Sequence, residues 1–284
     1  MILLTGNKGF IGSHFEQFLA DKYPLFCCDL LDNFDLCEAS KTKKLPDCQM
    51  ILHLAALNGT RFFYEKPMEV ANNNTLPTIN LLNRYKHSNS KFIFASTCEI
   101  FNSTVDFGIY QIPTDENVPI MFTDITNPRW SYSLPKALGE NMVANSGMDW
   151  LIIRYFNIYG PGQKHHFIQE FVERVKTGEY YINGDDTRSF CYVTDAVELS
   201  YRISKNVSNE IINVGNDEEV HIKHVAQEIM DLMGVDPNLL EVRESPTGSA
   251  KRRCPDLTKL RCYVPDYNYT SLKSGLKMTL ESLI

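Results

Sequence analysis

Ile2-Leu3-Leu4-Thr5-Gly6-Asn7-Lys8-Gly9-Phe10-Ile11-Gly12 is a short apolar strand that runs straight into three glycines and then into a helical pattern. Glycines there let a backbone turn tightly and approach a pyrophosphate, and the following helix offers the anion its unpaired N–H groups and positive end. The spacing is GxxGxxG rather than GxGxxG, and a glycine triplet alone is a weak signal. Its context strengthens it. Phe10, Phe15, Phe18 and Leu19 share one face of the predicted helix, and the next apolar run, Leu25-Phe26-Cys27-Cys28, ends at Asp29. A carboxylate at that strand end accepts the ribose hydroxyls of NAD and repels the extra phosphate of NADP, so the segment favours NAD. The competing reading is an ordinary strand-turn-helix with a solvent-facing aspartate.

Outward from this segment, apolar runs near 2–5, 25–28, 50–54, 91–95 and 150–154 alternate with helical patterns near 10–21, 67–87 and 131–146. That alternation predicts an α/β fold with a doubly wound parallel sheet. Only about twenty residues separate the second strand from Met50-Ile51-Leu52-His53-Leu54, too few for another helix-strand-helix excursion, so this half reads as abbreviated. Beyond Gly160-Pro161-Gly162 the pattern is mixed: helix near 166–177, strands near 180–182 and 188–193, helix near 194–205, strand near 210–214 and helix near 221–233. An amphipathic helix through Leu272, Leu276, Leu280 and Leu283 ends the chain. The expected division is residues 1–160 as a nucleotide-binding domain and 161–284 as a smaller, discontinuous α/β lobe over the carboxyl edge of the sheet, where open α/β sheets bind ligands.

With 284 residues, 43% of them hydrophobic and 22% charged, the chain can bury one large core or two unequal ones. A net charge of -7 argues against nucleic acid as a partner, and no apolar run reaches the roughly 20 residues of a membrane span. No secretion signal is visible, so a cytoplasmic enzyme is expected. The eight cysteines form no CxxC pair, and several lie in strand patterns, which reads as reduced, buried thiols. His221 with His224, and His165 with His166, lack a third ligand nearby in sequence, so no metal is expected and both pairs read as structural or surface residues.

Tyr132 and Lys136 stand four apart, on one face of a predicted helix. An ammonium beside a phenol stabilises the phenolate, which would let Tyr132 act as a base near neutral pH. Ser96-Thr97, at the end of the Phe92-to-Ala95 strand, supplies a hydroxyl to orient a substrate alcohol. A tyrosine four before a lysine is common by chance; its order after a glycine loop, an acid and a strand-ending Ser-Thr is not.

Taken together these segments resemble the extended short-chain dehydrogenase/reductases, the nucleotide-sugar epimerase, dehydratase and decarboxylase group. Thr5 to Gly12 resembles TGxxGxIG, His53-Leu54-Ala55-Ala56 the HLAA turn, and Asn74 with Thr78, Asn80, Leu81 and Leu82 the NxxxTxNLL helix. Ser96-Thr97-Cys98-Glu99-Ile100-Phe101 resembles STSEVYG, Tyr132 to Lys136 is YxxxK, and Arg154-Tyr155-Phe156-Asn157 is RxxN. Thr187 to Val193 resembles TRxFxYV, Asn213 to Asn216 NxGN, and Arg253-Cys254-Pro255-Asp256 RxPD.

The resemblance implies a Rossmann-type fold holding NAD through Gly6, Gly9, Phe10, Ile11, Gly12, Asp29, Leu54, Ala55, Ala56, Asn74, Tyr132 and Lys136, with Asp35-Leu36 contacting adenine. It implies a nucleotide-diphosphate sugar as substrate, with Thr97 on the sugar and Asn157, Arg188 and Arg253 on the diphosphate. Tyr132, helped by Lys136 and Thr97, would take the proton of the sugar 4-hydroxyl, giving a 4-keto sugar that leads to epimerisation, dehydration or decarboxylation. Cys98-Glu99 departs from the Asp-Glu of the 4,6-dehydratases and comes nearer the Ser-Glu of the uronate decarboxylases, so epimerase or decarboxylase is the expectation and Glu99 a candidate catalytic group. A 4-keto sugar reductase and a non-catalytic sensor are the alternatives. The family also implies a homodimer through the helices near 67–87 and 131–146, where Ile79, Leu82, Leu138 and Met142 are candidate contacts. Pro135, inside the YxxxK segment, predicts a kinked or late-starting helix.

Overall fold

The computed structural model describes residues 1–245 and 251–283. Ile2–Thr5 (β1) is buried along its whole length and leads through the glycine turn into Phe10–Leu19 (α1). There follow Leu25–Cys28 (β2), the single turn Ala39–Thr42 (α2), Met50–His53 (β3), Thr60–Glu65 (α3), Pro67–Tyr85 (α4), Lys91–Thr97 (β4) and Asn102–Asp106 (α5). Trp130–Ala144 (α6) and Asp149–Tyr155 (β5) complete the first half. The second half runs Ile158–Tyr159 (β6), Phe167–Lys176 (α7), Tyr181–Asn183 (β7), Thr187–Ser189 (β8), Cys191–Tyr192 (β9), Val193–Asn206 (α8) and Glu210–Val214 (β10). It ends with Glu219–His221 (β11), Ile222–Leu232 (α9), Glu241–Arg243 (β12), Arg252–Arg253 (β13), Thr258–Tyr263 (α10) and Leu272–Glu281 (α11).

The main sheet has six parallel strands in the order β10-β5-β4-β3-β1-β2. Alternate side chains of each strand feed two cores, because successive residues of a strand point to opposite faces. Ile2, Leu4, Leu52, Ile93, Leu151 and Ile153 pack with Phe15 and Leu19 of α1 and Val197 and Ile203 of α8. Leu3, Ile51, Phe92, Phe94 and Ile152 pack with Leu81 and Tyr85 of α4 and Val143 of α6. The chain is thus a doubly wound α/β fold. Helices α7, α9 and α11 enclose a separate core around Phe171, Ile229, Met230 and Leu276. Among the described residues no helix is long and apolar enough to cross a membrane.

Three expectations meet the structure differently. Between β2 and β3 lie only a 3-10 turn, Leu30–Asp32, and α2, so the half is abbreviated as the spacing required and β2 is the outer strand. The single strand expected over 188–193 is two: β8 pairs with β11 and β13, β9 pairs with β6, and Val193 already begins α8. Phe190 interrupts the run because its ring turns against Tyr159, at 6.0 Å between centroids, while the Cys191 N–H bonds the Asn157 carbonyl. Pro135 neither delays nor ends α6, which runs unbroken from Trp130 to Ala144. Proline there removes only the bond to the Ser131 carbonyl, and contact with α4, itself carrying Pro77 within, holds the helix.

Candidate active site

A cleft of about 760 Å³ opens at the carboxyl ends of the central strands. One wall is the glycine turn and the start of α1; the other comes from the ends of β4 and β5, α6 and the lobe around Arg188. Gly6 has φ +74°, and a Cβ on it would lie 2.7 Å from the backbone of Ala55. A Cβ on Gly12 would lie 2.0 Å from the Gly6 carbonyl oxygen. These glycines therefore pack turn, helix and the Leu54-Ala55 segment backbone to backbone, as a pyrophosphate cradle requires. The first turn of α1 has no side-chain cap and no acidic residue, so its leading N–H groups face the cleft without a protein anion. These features fit a dinucleotide.

Around the cradle, Gly9, Phe10, Ile11, Leu54 and Ala56 line the cleft, with Ala55 behind Gly6. Asp29 accepts from the Lys8 and Leu31 N–H groups, at 3.1 and 2.9 Å, which ties the end of β2 to the glycine turn. Asn74 donates to the Leu57 and Val70 carbonyls and braces the segment after Ala56. Asp35 accepts from the Cys37 N–H, while Leu36 is 5% exposed within the core beside Leu3 and Leu81 and so does not line the cleft. His53, one turn of chain before, bridges Thr5 and Thr78 through both ring nitrogens, at 2.8 and 3.1 Å. Burial, then the nearby Lys136 ammonium, push that imidazole down to about 3, so it is neutral.

Thr97, Tyr132 and Lys136 converge on the opposite wall. Lys136 Nζ donates to the Ala95 carbonyl at 2.8 Å, and burial pushes its ammonium down to about 8 against the pull of Glu140. The Tyr132 phenol is held well above its ordinary value by burial, then by Glu99 and Cys98; the Thr97 hydroxyl favours the phenolate. The expected lowering by Lys136 is thus outweighed in the protein itself, because Nζ is turned to Ala95 and desolvation dominates. A cation seated beside the phenol would reverse the balance. Phe63 of α3 stacks on the Tyr132 ring at 5.2 Å and 11° and fixes its plane.

Glu99 also lines the cleft, two residues past Thr97. Its carboxylate accepts from Arg129 Nη2 at 3.0 Å and from Asn102 Nδ2. Although burial opposes ionisation, Arg253 and Arg129 hold the carboxyl below its ordinary range. Burial pushes the neighbouring Cys98 thiol up to about 12, so it is no substitute for the dehydratase aspartate. Asn157 lines the cleft at φ +40°, its buried Nδ2 without a protein acceptor. Arg188 lines it too, with Nη1 on the Thr187 carbonyl. Arg253 does not line it: 3% exposed, it pairs with Asp106 at 3.2 Å and leaves Nε and Nη2 without acceptors.

Sequence reasoning passed over Arg129, three residues before Tyr132, whose charge on a helix edge was the available signal. It placed His165 and His166 on the surface, whereas both line the cleft and His165 meets Phe62 at 6.2 Å. His221 instead pairs with Asp185 at 3.2 Å. Five cationic side chains, Lys8, Arg129, Lys136, Lys164 and Arg188, line the cleft against the carboxylates of Glu99 and Asp186. In a chain of net charge -7 that local excess suits a polyanionic ligand.

The family model described as "NAD dependent epimerase/dehydratase family" matches residues 2–215. A UDP-N-acetyl-alpha-D-glucosaminuronate decarboxylase of Bacillus cytotoxicus is 31% identical, over 98% of this chain and 96% of that protein. UDP-glucuronic acid decarboxylase 6 of Arabidopsis thaliana is 27% identical, over 99% of this chain and 88% of that protein. Among solved structures, the UDP-glucose 4-epimerase of Thermotoga maritima with UDP-glucose superposes with a TM-score of 0.86 at 24% identity, covering 99% of this chain and 98% of that one.

Proposed function

Because the chain belongs to the NAD-dependent epimerase/dehydratase family, we propose that its cleft holds NAD and a nucleotide-diphosphate uronate, oxidises the sugar at carbon 4 and releases carbon dioxide from the 4-keto state. It is an NAD-dependent nucleotide-sugar enzyme of the epimerase and decarboxylase type. Gly6, Gly9, Gly12 and the start of α1 would hold the pyrophosphate of NAD, and Asp29 its adenosine ribose. NAD, when bound, supplies the reversible redox chemistry. Tyr132 takes the proton of the 4-hydroxyl, Thr97 orients that hydroxyl, and Lys136 stabilises the phenolate. Asn157 and Arg188 would bind the diphosphate; Arg253 acts from behind the wall on Glu99.

The observation that carries the uronate branch is the Glu99–Arg129 pair beside Thr97, in a cleft with a cationic excess. A uronate brings one more negative charge than a neutral sugar, and Arg129 is placed to meet it. Once carbon 4 is a ketone, the bond from carbon 5 to the carboxylate breaks, its electron pair forms the enolate, and a proton added at carbon 5 restores the ketone. Glu99, ionised by its arginines, orients ring and proton source rather than serving as the resting acid. Glu99→Gln is expected to slow product formation at least about tenfold while bound NAD is still reduced by substrate. Incubation with UDP-glucuronate and its 2-acetamido analogue, followed by NMR and NADH absorbance, tests this. Normal turnover to a 4-epimer by the variant would instead establish a plain epimerase.

Residues 1–160 are assigned to the NAD-binding domain and 161–284 to the substrate lobe, and the unpaired cysteines fit a cytoplasmic enzyme. A homodimer through the outer faces of α4 and α6 is supported by exposed Met68, Leu76 and Leu138. Sedimentation is expected to give a dimer; a monomer at micromolar concentration would refute it.

A further inference from the structure

Tyr132, Lys136 and Glu140 stand at successive turns of α6, and each meets one of three consecutive residues at the end of β4. The Thr97 hydroxyl interacts with the Tyr132 phenol. The Ala95 carbonyl accepts from Lys136 Nζ at 2.8 Å, and Ser96 Oγ donates to Glu140 Oε1 at 2.6 Å. Arg154, paired in register with Ser96, closes on Glu140 through Nε–Oε1 at 2.9 Å and Nη2–Oε2 at 2.8 Å. Its Nη1 donates to the Glu116 carbonyl at 2.9 Å. The side chains are 3% and 6% exposed, and neither Arg154 nor Glu140 lines the cleft. An ion pair buried this deeply adds little stability over well-packed apolar residues, so its position one turn from Lys136 asks for another account.

We propose that Glu140, anchored by Arg154 and Ser96, is a positioning residue for Lys136, the buried anion that holds the lysine in its seat on Ala95 and keeps it charged. The proposal rests on reading Tyr132 and Lys136 as the catalytic pair. An ammonium 3% exposed has lost its hydration and needs a compensating negative charge. Glu140 is that charge: burial pulls the ammonium down to about 8 and Glu140 opposes it. The Phe94 ring, 5.0 Å from Nζ, adds only a weak cation–π contact. The other groups around the lysine do not take Glu140's part. His53 on β3 is neutral, Arg154 on β5 has its charge answered by Glu140, and Glu116 lies beyond Arg154 with Oε1 on the Asn213 N–H. Cys98 and Glu99 bear on Tyr132 instead.

The test is an NMR titration of Lys136 Nζ in protein labelled with 15N-lysine, without added cofactor or substrate. Wild type is expected to titrate near 8, Glu140→Gln at least about one pH unit lower, and Glu140→Asp between them. The alkaline limb of turnover, where the lysine loses its proton, is expected to move by the same interval while kcat at lower pH stays within a few fold. A purely structural role predicts equal loss at every pH and an unmoved lysine, and that result overturns the proposal. Since Glu140→Gln strands the Arg154 charge, the titration is repeated in Glu140→Gln/Arg154→Met, where an unchanged midpoint is equally fatal. The NMR measurement needs no turnover. Failure of the catalytic reading, seen as retained activity in Tyr132→Phe, is therefore told apart from failure of this one.

Discussion

Gly12→Ala isolates the close approach that shapes the cofactor turn. Gly12 lies inside α1 with no positive φ, so alanine gains about 1 kcal/mol of helix propensity. Against that gain, the new Cβ would lie 2.0 Å from the Gly6 oxygen and 2.8 Å from its carbon. Both are backbone atoms, and ordinary contact starts at 3.4 Å, so helix or turn must retreat by more than an ångström. Overpacking of this kind costs about 1–3 kcal/mol, and at 2.0 Å the upper end applies. The net is a loss of about 2 kcal/mol, or a fall in Tm of roughly 4–8 °C for a chain of this size. The retreat also moves the N–H groups that face the pyrophosphate; losing one charge-assisted bond is worth about 1.5–3 kcal/mol, or roughly ten- to a hundredfold in NAD affinity. Thermal unfolding with and without NAD, together with calorimetric titration, measures both effects. Ser13→Ala, at the next and exposed position, is the control, expected within about 0.5 kcal/mol of wild type. A Gly12→Ala protein as stable as wild type that binds NAD within twofold would show that the close approach does not shape the cradle.

Tyr132→Phe keeps the stack on Phe63 and removes the phenolic oxygen; turnover is expected to fall nearly to zero with nucleotide-sugar affinity kept, and activity within a few fold of wild type would remove the proposed base. His53 is held neutral when folded, down to about 3, but the unfolded chain protonates it below about 6.5. Between those values the unfolded state binds the extra proton, so stability falls as pH drops, by up to about 1.4 kcal/mol per pH unit. His53→Gln can keep partners on Thr5 and Thr78 and is expected to flatten that acid limb in denaturant titrations; an unchanged slope would assign it to other groups.

The main sheet was legible because its strands are continuous apolar runs bounded by turn residues, and the buried β1 and the Phe15–Leu19 face of α1 lie where periodicity put them. The Thr97, Tyr132 and Lys136 group was legible through spacing: four residues on one helix and a strand-ending hydroxyl are local facts. Leu36 shows the limit. Its motif suggested a ligand contact, but which way an aliphatic side chain turns depends on Leu3 and Leu81, distant in sequence. Arg129, Arg253 and the cleft histidines were missed or misplaced for the same reason, since their partners Glu99, Asp106 and Phe62 lie in other segments. The break at Phe190 depended on Tyr159, which no alternation pattern encodes.

Strand β10 covers the outer edge of β5, pairing from Glu210 with Leu151 to Val214 with Tyr155. During synthesis that edge therefore emerges well before its cover. At ordinary elongation rates the stretch between Tyr155 and Glu210 takes roughly three to ten seconds to make, long compared with local collapse. For that interval a buried-type edge of Leu151, Ile152 and Ile153 is open to pairing with other nascent chains, so the yield of active protein depends on translation speed and chaperone supply more than its final stability suggests.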